Sequence, residues 1–165
     1  MAGEASRYRP IVKVKPMKSI RTWILVADAG RARAISIEGN PAKASPHGEF
    51  EVLHLHKRAG QIQADRPGRS FASADSRRSA MEPPSDPVEV ESNRFAKDIL
   101  EQINTRFEET PFDRLIIVAP PKMLGNFRKS YPNALRNVLA GELDSDLTQH
   151  ADKDVLDVLM RKELL

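Results

Sequence analysis

Two short, unbroken apolar runs constrain this chain more than any other feature: TWILVA at residues 22–27 and LIIVA at residues 115–119. A half-exposed strand would alternate polar and apolar residues, and a helix would need more length. Continuous runs of this size, rich in β-branched residues, read as strands covered on both faces. Such strands belong at the centre of a sheet with helices packed on each side, so the rest of the chain has to supply both layers.

The segments around these runs fit that demand. Asp28-Ala29-Gly30 makes a tight turn, with Asp28 free to bond its own backbone and Gly30 able to take a positive φ. RARAISIE at 31–38 alternates and returns as a second strand. Residues 39–48, with Pro41 and Pro46, read as a loop, and FEVLHLHK at 50–57 as a third strand, which completes an antiparallel meander. A long polar stretch over 58–85 follows. Asp86 is then a good N-cap, Pro87 suits the first helical position, and Glu89 and Glu91 complement the positive end of the helix dipole. Phe95, Ala96, Ile99, Leu100, Ile103 and Phe107 recur at helical spacing on one face.

Pro120 and Pro121 stop the second apolar run. Met123, Leu124 and Phe127 mark a core-facing short helix, and Ala134, Leu135, Val138 and Leu139 a further turn or two behind Pro132. ELDSDLT at 142–148 alternates as a fifth strand would, and Asp152 can cap a last helix carrying Val155, Leu156, Leu159 and Met160. The order is three antiparallel strands, then helix, strand, helix, strand, helix. A strand-helix-strand crossover returns parallel, which puts the fourth strand beside the first. The expected fold is α/β with a mixed five-stranded sheet of ribonuclease H-like topology, one domain over 22–165 behind a basic N-terminal extension at 1–21.

That extension holds Arg7, Arg9, Lys13, Lys15, Lys18 and Arg21 against Glu4 alone. It lacks the apolar stretch and small-residue cleavage site of a secretory signal. No segment approaches the roughly 20 apolar residues of a membrane span, so a cytoplasmic protein is expected. With no cysteine in 165 residues, disulfides and thiolate chemistry are excluded. His54 and His56 share one side of a strand but lack further ligands, and His150 reads as a loop or capping residue, so neither a metal nor a cofactor is expected.

Charge gathers in the long polar stretch. Over residues 57–78, Lys57, Arg58, Arg66, Arg69, Arg77 and Arg78 outnumber Asp65 and Asp75 six to two. Arginine forks match phosphate geometry, Gly68 permits close backbone approach, and Phe71 can stack on a base. RNA backbone, or the ribosome, is the natural partner; the competing reading is a solvated flap whose arginines pair with neighbouring acids. A second candidate group is Lys122, Asn126, Arg128 and Lys129, just past the fourth strand, where open α/β sheets bind ligands. Two-metal nuclease chemistry is not expected, because 115–119 carries no acid and Asp28 falls in a turn.

Five stretches carry a wider resemblance: TWILVADAGRARAI at 22–35, DRPGRSF at 65–71, RSAMEPPSDP at 78–87, LIIVAPPKMLGNFRK at 115–129 and GELDSDLTQH at 141–150. Together they resemble the bacterial host attachment protein family, itself similar to the central domain of eukaryotic and archaeal peptide chain release factors. The resemblance implies the same ribonuclease H-like fold. It also implies that the loop after the third strand stands where release factors carry Gly-Gly-Gln, which helps water attack the peptidyl-tRNA ester. This chain reads Ala59-Gly60-Gln61, so the first glycine is replaced and a Gln61-based peptidyl-tRNA hydrolase is only an alternative. A non-enzymatic RNA- or ribosome-associated module leads, and a protein-interaction factor in host-cell attachment is the other alternative. The residues do not disclose an oligomeric state.

Overall fold

A computed structural model describes residues 18–53 and 86–165. Three strands come first: β1 (Arg21–Ala27), β2 (Arg31–Glu38) and β3 (His47–Leu53). Helix α1 (Pro87–Glu109) leads to β4 (Arg114–Ala119), then α2 (Pro121–Ser130), α3 (Asn133–Val138), β5 (Leu139–Asp144) and α4 (Asp152–Arg161). The sheet order is β3-β2-β1-β4-β5, with β1 antiparallel to β2, β2 antiparallel to β3, and β1 and β5 each parallel to β4. This is the expected ribonuclease H-like arrangement.

The two apolar runs pair in register, Trp23 beside Leu115, Ile24 beside Ile116 and Val26 beside Val118. Their side chains alternate between two cores. Trp23, Leu25, Ala27, Leu115, Ile117 and Ala119 meet Phe95, Ile99, Leu100 and Ile103 of α1, Met123, Leu124 and Phe127 of α2, and Leu135 of α3. Ile24, Val26, Ile116 and Val118 meet Val155, Leu156 and Leu159 of α4 on the other face. Burying each large aliphatic side chain contributes about 1.5–3 kcal/mol, so unbroken apolar strands are the sequence solution for a sheet covered twice.

Local signals account for most boundaries. The Asp86 side chain accepts from the Val88 N–H at 3.1 Å, with Pro87 at the first helical position of α1. Between β1 and β2, Asp28 Oδ1 accepts from the backbone N–H of Gly30 and Arg31 at 2.6 and 2.7 Å. That carboxylate closes the turn without the positive φ expected of Gly30; among the described glycines only Gly39 has one, at 78°. At the opposite edge, Asp113 joins α1 to β4 and receives the Arg21 N–H at 2.9 Å, which holds its carboxyl below the usual range. Trp23 stacks on Phe112 (4.8 Å, 18°), and Phe107 meets Phe112 edge-on.

Three boundaries differ from the sequence expectation. β3 begins at His47 rather than at residue 50, because the ladder continues past a bulge between Ala34 and Ile35 to pair Ile35 with Gly48 and Ser36 with His47. β5 occupies Leu139–Asp144 rather than 142–148: Leu139, expected in the preceding helix, pairs with Leu115, while Leu147 is buried from the turn that follows. Asp152 opens α4 as its first residue, with Ala151 at the N-cap, because its carboxylate is engaged elsewhere.

Helix α4 ends in a Schellman arrangement: the N–H of Glu163 donates to Met160 O and that of Leu164 to Leu159 O, both at 3.0 Å. Glu163 occupies the left-handed position with φ 57°, where glycine is favoured. We expect Glu163→Gly to raise stability by about 1 kcal/mol, read as a higher urea midpoint at unchanged m-value; a lower midpoint would show that the glutamate side chain offsets its backbone cost.

The carboxyl edge of the sheet as candidate functional site

Because β1, β4 and β5 run in the same direction, their carboxyl ends at Ala27, Ala119 and Asp144 line one edge. Arg31, the first residue of β2, lies beside Leu53, the last of β3, so the described chain leaves β3 at this same edge. Helix α1 starts there too, since its far end feeds into β4 at the opposite edge through Asp113, whose N–H donates to Arg21 O. Open α/β sheets place their ligands at such an edge. Two groups of polar side chains start from it, one on each side of the sheet, and the second runs down α2 away from the edge.

The first group joins the β1–β2 turn to the β5–α4 connection. Thr148 Oγ1 lies 2.6 Å from Asp146 Oδ1 and 3.0 Å from Asp28 Oδ2, and its backbone N–H also reaches Asp146 at 3.0 Å. The Thr148 hydroxyl and N–H hold the Asp146 carboxyl below its usual range. Arg31 Nε stands 3.9 Å from Asp28 Oδ2, and the Gln149 amide, when oriented with its oxygen toward the guanidinium, accepts from Arg31 Nη1 and Nη2 at 3.0 and 3.1 Å. Arg33, only 17% exposed, donates through Nε to Asp152 at 3.0 Å, through Nη1 to Thr148 O at 2.6 Å and through Nη2 to His150 O. One planar cation therefore ties β2 to the start of α4 at three points. Sequence reading passed over this residue, although an arginine on the same strand face as Ile35 and Ile37 was a visible signal.

The second group surrounds α2. Pro120 and Pro121 open the helix, and Lys122 follows, exposed. Asn126 is buried at 5% exposure and donates to Ser92 Oγ of α1 at 2.9 Å, so it joins two helices. Arg128 Nε donates to Glu142 Oε2 at 2.8 Å, while Tyr131 Oη donates to Glu142 Oε1 at 2.7 Å. Burial pushes the Glu142 carboxyl up, but the hydrogen bonds from Arg128 and Tyr131 more than reverse this and leave it lowered. Burial and the bond to Glu142 raise the Tyr131 phenol. Lys129 is exposed, and among the described residues neither it nor Lys122 has an ion-pair partner. Of the candidates from the sequence, Lys122, Arg128 and Lys129 thus share one helix, with Arg128 committed to Glu142. Arg58, Gln61, Arg66, Gly68, Arg69 and Phe71 lie outside the described residues, as do His54 and His56. Among the described residues, no three His, Cys, Asp or Glu side chains are grouped to hold a metal ion, and no helix is long and apolar enough to cross a membrane.

Two consequences can be measured. Arg33→Ala should lower stability by roughly 3 kcal/mol, because it leaves Asp152 and two carbonyls without their cation; Arg33→Lys should recover only part, since an ammonium cannot reproduce the fork. An urea midpoint unchanged in Arg33→Ala would make the clamp dispensable. A carboxyl lowered in the folded state contributes stability that is complete above its unfolded pKa of about 3.9 and lost as pH falls through the folded value. Thr148→Val removes one of the bonds that lower Asp146, so the stability lost on acidification below about pH 4 should be smaller in the variant than in the parent.

Comparisons with known proteins follow the same outline. An uncharacterized protein of Rickettsia prowazekii is 30% identical over 74 residues, which are 44% of this chain and 49% of that one, so the match spans about half of the curated relative. Among solved structures, an archaeal protein superposes with a TM-score of 0.50 at 12% identity, over 88% of this chain and 34% of the other. An archaeal translation termination factor gives 0.47 at 12% identity, over 87% and 39%. The first of these likenesses supports the fold alone. The family model described as "Protein required for attachment to host cells" matches residues 23–159, most of the sequence and every strand and helix described above in whole or in large part, and the chain belongs to that family.

Proposed function

We propose that this member of the host attachment family is an RNA- or ribosome-associated module that grips phosphates with the basic stretch over residues 57–78. The observation that carries this reading is the position of its two ends. The described chain stops at the end of β3 and resumes at the Asp86 cap of α1, both at the carboxyl edge of the sheet. The stretch with six cations against two acids is thus joined at both ends to the edge where Pro121 begins α2, which supports a role there. Lys122 adds positive charge there, Lys129 extends it two turns down α2, and Arg128 adds less because Glu142 holds its guanidinium. Arg66 and Arg69 are the proposed phosphate forks, with Arg58 as a further cation, Gly68 giving backbone access and Phe71 offering a ring for stacking.

A second reading is favoured by the family description: a protein-interaction factor that promotes attachment to host cells. Recovery of the protein on the surface of washed, intact cells would support it over the first.

The deciding experiment is binding of the purified protein to ribosomes and to tRNA across a salt series. The RNA reading expects affinity to fall steeply and linearly on logarithmic axes as counterions are released. Arg66→Glu/Arg69→Glu should weaken binding by about tenfold or more with thermal unfolding unchanged. Failure of the parent protein to bind either probe at low salt would overturn the reading.

A further inference from the structure

We propose that the groove between α1 and α2 is a second binding surface for the same ligand class, the phosphodiester backbone of RNA, with Lys97, Lys122 and Lys129 as its cations. The inference rests on the phosphate-binding reading above and adds to it a site built wholly from described residues.

The two helices meet where Asn126 donates to Ser92, with Ser92 Oγ also 4.0 Å from Met123 Sδ. Lys122, Asn126 and Lys129 are spaced i, i+4 and i+7, so they form one stripe along α2. The two lysines therefore stand one turn to either side of the amide that touches α1, and both are exposed. On α1, Arg106 lies over the Phe50 ring of β3 and fixes the flank that faces away from α2. Asn93 and Asn104 are half-buried on the other flank, and Lys97 falls on that stripe, one turn beyond Asn93, with its side chain exposed. None of these three lysines has an ion-pair partner among the described residues.

Two further observations suit a polyanion. Half of the six acids of α1 are segregated: Asp98, Glu101 and Glu109 line the concavity beside Arg106 on the opposite flank. Glu89 and Glu108 are exceptions: Glu89 shares the Asn93 and Lys97 stripe at the mouth of the groove, and Glu108 accepts from Asn104 at 2.9 Å farther along it. Between the two α2 lysines lies Gly125, where an added Cβ would meet nothing within 4 Å. Packing does not demand a glycine there, and its absence of side chain keeps the wall of the groove low enough for a backbone to pass.

The test uses the full chain and a labelled oligouridine, compared with tRNA, by fluorescence anisotropy across a salt series. Lys97→Glu/Lys129→Glu should weaken binding by about tenfold or more and reduce the salt slope by about 1.4, the share of two single-strand phosphate contacts. Gly125→Glu, which adds a negative charge in open space and improves helix propensity, should weaken binding as well, and Glu89→Gln should strengthen it. Lys153→Glu/Lys162→Glu, on and just after α4 across the sheet, should bind like the parent. If the groove variants bind like the parent while Arg66→Glu/Arg69→Glu binds weakly, the groove is refuted and the phosphate-binding reading stands. If the parent binds neither probe, both fall. If the α4 variant weakens binding as much as the groove variants, the effect is one of net charge and the groove is likewise refuted.

Discussion

The parallel pairing of β1 with β4 is the constraint on which the other features depend. These strands are separated in sequence by more than eighty residues, yet their ladder places Ile24 beside Ile116 and Leu25 beside Ile117, with every one of those side chains fully buried. A parallel pair cannot be closed by a hairpin, so a crossover has to carry the chain back along the length of the sheet. α1 does this with 23 residues. The direction of that crossover decides that α1 begins, and α2 begins, at the same edge. The polar groups at that edge are therefore consequences of strand direction before they are consequences of their own chemistry.

Much of this was legible because the signals were local. The Asp86-Pro87 start, the helical spacing from Phe95 to Ile103 and the bare apolar runs each imply one structure by themselves, and the crossover rule then leaves few ways to assemble them. β5 was displaced because alternation in ELDSDLT imitates a strand, whereas the pairing that selects the true register is with β4, which the segment itself does not encode. Leu147 and Thr148 are buried for a different reason: the turn after β5 folds beneath the sheet edge and is held there by Asp28 and Arg33. Long-range hydrogen bonds of this kind, joining residues more than a hundred positions apart, leave no periodic trace.

At the level of the site, legibility divides by the kind of partner each residue has. Lys122 and Lys129 stand out in sequence and remain exposed cations in the fold. Asn126 and Arg128 stood out equally, but one is spent on Ser92 and the other on Glu142, and only the fold could reveal those partners. Arg33 did not stand out at all, although it is the most heavily bonded cation described. Charge in a sequence marks where polar chemistry is available; whether it faces a ligand or the protein itself is decided by which strand and helix ends are brought together.

The two faces of the sheet are also finished at different times. α1, α2 and α3 cover one face before β5 is made in chain order, whereas the other face waits for α4 and for Leu164 and Leu165 behind it. A chain emerging during synthesis therefore displays the β-branched row of Ile24, Val26, Ile35, Ile37, Ile116 and Val118 until residues near 155–165 arrive. Such a surface is an obvious client for a chaperone and an obvious seed for aggregation. The packing of Leu164 against Gly141 makes that closing step depend on the very strand that completes the sheet, and the bond from Arg114 to Leu164 O ties it to the start of β4 as well. Any nascent chain halted between β5 and α4 would carry a complete sheet with one greasy side, the form of this protein that quality control has most reason to recognise.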